Sequence, residues 1–143
     1  IHTNYVGYYE TPFNYLYTIF HELAHYTGIE SRLNRNQIGI SVGEYNKAVK
    51  TADMELLKKH LTEEFIAETT AKYLVKYYNL PLDINSLRKF RHRYYDFIPY
   101  KISFSIQEYR AIIIEAQKAT KIKRRLERRY FHYISFFKST KRI

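Results

Sequence analysis

Two histidines four residues apart, His21 and His25, stand with Glu22 in the order His-Glu-x-x-His. On a helix, residues four apart lie about one turn apart on the same face. Both imidazoles can then reach a single zinc ion, and the intervening carboxylate of Glu22 sits beside it as a general base. The chemistry suggested is hydrolysis, with neutral imidazoles holding the metal and a carboxylate taking the proton of a zinc-bound water. The plainer alternative is an amphipathic helix that happens to carry two histidines. The rest of the chain has to decide between them.

A catalytic zinc commonly takes three protein ligands and keeps one position open. The chain has no cysteine, so every ligand must be His, Asp or Glu. A third histidine three residues after a glycine is excluded: Gly28 is in place, but position 31 is Ser31. A later acidic stretch, Leu61 to Glu68, offers Glu63, Glu64 and Glu68. Helix phase aligns Glu64 with Glu68 and His60 and leaves Glu63 off that face. One of the aligned pair can bind metal, while the other accepts the outer N–H of a ligand histidine. His60 is expected near the surface. Taken alone, the three acids read as a solvated face pairing with Lys72 and Lys76. The histidine motif reverses that preference.

The elements that must position these groups are mostly helical. Residues 1–10 are rich in Tyr, Ile, Val and Thr and suggest a short edge strand. Thr11-Pro12 marks a helix start, and Gly28 its stop after about Tyr26. Phe13, Leu16, Ile19, Phe20 and Leu23 form the buried side of that helix. A loop follows, with a short strand at Ile38–Val42. Further helices are expected over about Tyr45–Lys50, Ala52–Tyr78 and Asn85–Phe97. Phe65 and Ile66, with Leu61 and Ala67, should press the acidic helix onto the first. Ser105 and Glu108 have capping-box spacing, opening a helix that could extend to about Phe137.

The 143 residues fit one domain, 1–143. The net charge of +10 is unevenly spread: residues 118–143 hold ten of the 24 Lys and Arg against one acid, Glu127. This segment reads as a basic, aromatic, helical extension. Its Lys121, Lys123, Arg124, Arg125, Arg128 and Arg129 could neutralise phosphates, and the aromatics that follow could stack on single-stranded DNA. Core packing by a last helix is the plainer reading of those aromatics. No apolar run reaches membrane-spanning length, no signal-peptide pattern is present, and the lack of cysteine fits a cytoplasmic setting.

The stretch from Thr18 through His21, Glu22, His25, Tyr26 and Thr27 to Gly28, then Ser31 to Arg35, then Glu63 to Glu68, resembles a known family. It is similar to the zincin domain of ArdC-type antirestriction proteins and related phage and plasmid polyvalent proteins. That family pattern has a His-Glu-Leu-x-His-aromatic-Thr-Gly core, an Arg-Leu-x-Arg loop and a Glu-Glu-hydrophobic-hydrophobic-Ala-Glu helix. Ala116 to Ala119 is similar to its last helix. The resemblance implies a mainly α, partly β (α+β) zincin-like fold of the gluzincin type. It implies Zn2+ held by His21, His25 and Glu64, Glu22 as base and a protein or peptide substrate, which leaves Glu68, the other member of the aligned pair, as the outer partner. The alternative is a nucleic-acid-binding antirestriction module whose zinc site is structural or vestigial.

Overall fold

The computed structural model describes residues 12–29, 31–35, 42–80 and 102–122. Four helices account for 78% of these described residues, and no strand is present among them. They are α1 (Pro12–Thr27), α2 (Val42–Thr51), α3 (Met54–Tyr77) and α4 (Ile106–Thr120). The expected strand over 1–10, the cap at Thr11 and the helix over 85–97 lie outside the described residues. So does most of the strand expected at 38–42, although Val42 itself opens α2.

Helix α3 is the axis of the molecule, with α1, α2 and α4 all packed on it. Asp53 caps its start, the side chain accepting from the Leu56 amide at 3.1 Å. Its end is closed by Asn79, which adopts φ 52° and lets the Leu80 amide reach back to the Val75 carbonyl at 2.9 Å. A left-handed residue with this long return bond is a standard helix stop, and asparagine tolerates the backbone better than most. Leu80 then turns into the core, as the residue after such a stop commonly does.

The main core lies between α1 and the second half of α3. Phe13, Leu16, Tyr17, Ile19, Phe20 and Leu23 meet Ala71, Leu74, Val75 and Leu80. All five apolar residues expected on the inner face of α1 are buried. Each large side chain buried there contributes about 1.5–3 kcal/mol of transfer free energy, so this seam is the firmest part of the described fold. The small Ala71 allows the helices to approach closely. The Phe65 ring packs edge-on against Phe104, 5.2 Å away, on the approach to α4.

On the other side of α3, α4 buries Ile112, Ala116 and Ala119, spaced four and three apart as one helical stripe requires. Its start carries the expected capping box, Ser105 and Glu108 each bonding the other's backbone amide at 3.1 and 3.0 Å. Glu108 also pairs with Lys58 of α3 at 2.7 Å. The helix ends at Thr120, well short of Phe137, with Lys121 and Ile122 in a closing turn. Two local features favour that stop. Thr120 and Ile122 are β-branched and poor helix formers, and Lys118 and Lys121 would place like charges on one face.

Candidate metal centre

His21 and His25 project from the last two turns of α1 towards the middle of α3, where Glu63, Glu64 and Glu68 stand. The Nε2 atoms of the two histidines lie 3.0 Å apart. Glu64 faces both, with Oε2 3.2 Å from Nε2 of His21 and Oε1 3.1 Å from Nε2 of His25. One donor atom from each of His21, His25 and Glu64 thus converges on a common point. Zinc with nitrogen and oxygen ligands at about 2.0–2.1 Å in tetrahedral array separates its ligands by about 3.3 Å. The three observed separations are close to that edge length.

A second observation supports the fit. Glu64 Oε2 is buried yet makes no hydrogen bond, because its 3.2 Å approach to His21 lacks suitable geometry. A buried carboxylate oxygen without a donor is costly unless something else compensates its charge. The donor set, two imidazoles and a carboxylate, suits a divalent zinc-like cation.

The outer nitrogens are also held. Nδ1 of His21 lies 3.4 Å from Glu68 Oε1, and Nδ1 of His25 donates to Glu63 Oε1 at 3.1 Å. A carboxylate on Nδ1 keeps the proton there and turns the Nε2 lone pair towards the shared point. Glu68 in turn accepts from the Tyr17 hydroxyl at 2.9 Å, and the same hydroxyl reaches the Glu68 carbonyl at 3.2 Å. Glu63, only 4% exposed, is gripped by Arg35 through two bonds: Nε to Oε2 at 2.9 Å and Nη2 to Oε1 at 2.7 Å. Glu68 thus lies against the outer nitrogen of His21. Glu63, set aside on helix phase, holds the equivalent position on His25.

Electrostatics follow from this crowding. Burial opposes charging His21, but the carboxylates of Glu64 and Glu68 outweigh it and raise its pKa from 6.5 to about 10. Burial likewise disfavours the charged His25, yet Glu63 and Glu64 push it upwards. Burial disfavours the Glu64 carboxylate, and the two histidines overcome this and hold it well below the usual range. Glu63 is also lowered, burial being outweighed by Arg35 and His25.

Glu22 lies on the turn between the two histidines and is half-buried. His60, half-buried as well, meets the ring of Tyr45 from α2 at 4.8 Å between centroids. Burial lowers the pKa of His60, while burial and the charge of Glu64 raise that of Tyr45. His60 is thus less exposed than expected and borders the site. A cleft of about 300 Å³ between Leu33, Arg35, Thr62, Ile66, Ile112 and Glu115 is a separate feature. Thr62 and Ile66 point away from the Glu64 face of α3, since two residues of helix turn through about 200°. Of the basic residues expected to meet nucleic acid, Lys121 is exposed at the end of α4. Lys123, Arg124, Arg125, Arg128 and Arg129 lie outside the described residues. Compared with protein-family models, curated proteins and solved structures, the chain matches none.

Proposed function

We propose that this chain is a zinc-dependent metallopeptidase of the gluzincin type, with a zincin-like fold akin to that of ArdC-type antirestriction proteins. The observation that carries the reading is the meeting of His21, His25 and Glu64, from two helices, at the spacing of a metal's ligands. A bound zinc ion supplies Lewis acidity, which acidifies water and polarises a peptide carbonyl. His21 and His25 present neutral Nε2 atoms to it, kept in that tautomer by Glu68 and Glu63. Glu64 adds one negative charge and completes the three-ligand set. Glu22, one residue from His21 and partly open to solvent, takes the proton of the attacking water and passes it to the leaving amine. No covalent intermediate with the protein is needed. The expected substrate is a protein or peptide.

The test compares zinc content and cleavage of an unstructured protein such as casein. Glu22→Gln should keep one zinc and lose about 10²–10⁴-fold in rate, the usual range for a general base. His21→Ala should lose both metal and cleavage. Undiminished hydrolysis by Glu22→Gln would rule out this mechanism.

A further inference from the structure

Three glutamates crowd two histidines, and they differ in what already holds their oxygens. Arg35 donates to both oxygens of Glu63. Tyr17 donates to one oxygen of Glu68, and the other faces Nδ1 of His21. Glu64 keeps a buried oxygen that accepts no hydrogen bond. We propose that Arg35 is a positioning residue that decides which carboxylate can bind metal. By occupying both oxygens of Glu63, it holds that residue as the outer partner of His25 and leaves Glu64 to the cation. The proposal rests on the metal-site reading above.

The placement of Arg35 supports a role beyond charge neutralisation. It is 7% exposed, a costly place for a guanidinium unless its N–H groups are well used. Besides Glu63, it donates through Nη2 to the Ala24 carbonyl at 2.8 Å and through Nη1 to Thr27 Oγ1 at 3.1 Å. Those acceptors stand one residue before His25 and two after it. The same side chain therefore fixes the helical turn that carries His25 and the carboxylate that orients its ring.

The loop before it is folded to make this possible. Asn34 takes φ 48°, and the Arg35 amide returns to the Gly28 carbonyl at 2.8 Å. Neighbouring Arg32 lies over the Tyr26 ring, 3.7 Å from its centroid, holding the loop against α1. A planar fork is required at position 35, because an ammonium group is a point charge that cannot bind both oxygens in parallel.

The experiment measures Zn2+ affinity by chelator competition and the visible spectrum of the Co2+-loaded full chain. Arg35→Lys and the double variant Arg35→Met/Glu63→Gln are compared with wild type, with folding checked by circular dichroism. Arg35→Lys should bind Zn2+ about 10–100-fold more weakly, the range for losing an outer partner. Its Co2+ bands should shift as Glu63 becomes able to compete. The double variant has no carboxylate at 63, so it should regain the wild-type Co2+ spectrum while remaining weaker in affinity. Wild-type affinity and spectrum in folded Arg35→Lys would overturn the proposal. If Arg35→Lys does not fold, Arg35→Met alone is set against the double variant, and the same Co2+ spectrum in both, showing that a released Glu63 does not compete, overturns it equally. Failure of the wild type to bind either ion is a different result and would remove the metal site itself.

Discussion

At His21, His25 and Glu64 a proton would compete with the proposed metal ion for the same atoms, and the buried ion pairs set the pH behaviour of the chain without it. In the metal-free chain, His21 has a pKa raised from 6.5 to about 10. Its ion pairs stabilise the fold fully below pH 6.5 and fade as pH rises towards about 10. Glu63 and Glu64 are shifted down from 4.5, so their contribution is complete above pH 4.5 and fades as acid protonates them. Stability measured in the presence of a chelator should peak between these two limits and decline on either side. Zinc should reverse the alkaline decline, because a deprotonated Nε2 is the form that binds metal. Melts at acid, intermediate and alkaline pH, with and without zinc, test this; a flat chelated profile would contradict the ion pairs described. Much of the site is legible from residue types and spacing alone: His21 and His25 by their separation, Glu64 and Glu68 by their shared face. The role of Glu63 is not. Its partner Arg35 is 28 residues away, and only tertiary folding brings a loop cation beside an acid that helix phase had turned aside.

Helix ends carry their own prediction. Between α2 and α3, Ala52 adopts φ 52°, while the Asp53 amide bonds back to the Ala48 carbonyl at 2.9 Å. A left-handed backbone costs an L-residue with a Cβ roughly 1–2 kcal/mol, and glycine avoids that penalty at some cost in unfolded-state entropy. Ala52→Gly should therefore stabilise the chain by about 1 kcal/mol, read as a higher urea midpoint at unchanged slope. A lower midpoint would show that the methyl group does more in packing than it costs in backbone strain. The beginnings and ends of elements were legible where local chemistry sets them, as at Ser105 with Glu108 or at Gly28 after α1. The early stop of α4 was harder to foresee, because no glycine or proline marks Thr120. Helix α3 was misleading in another way. Neighbours on several sides bury acids and apolar residues alike, so a polar stretch that taken alone reads as solvated, and only the histidine motif turns inward, is interior.

For the molecule as a whole, charge is separated along the chain. Most of the +10 resides in residues 118–143, while the preceding sequence is nearly balanced. Binding to single-stranded DNA, if carried by phosphate contacts, must weaken steeply as salt rises and must vanish when residues 121–143 are deleted. A salt-titrated anisotropy assay on both chains measures this, and affinity indifferent to salt would exclude phosphate contacts. No helix among the described residues is long and apolar enough to cross a membrane. The donors of the candidate metal site come from two helices, His21 and His25 from α1 and Glu64 from α3. In a denatured chain those groups drift apart, so tight cation binding belongs to the native state alone. If the proposed site binds zinc, mass action would make the ion a thermal ballast: free zinc a hundredfold above its dissociation constant should add about 2.7 kcal/mol. The melting temperature should climb with free zinc, and a chelator should bring it down.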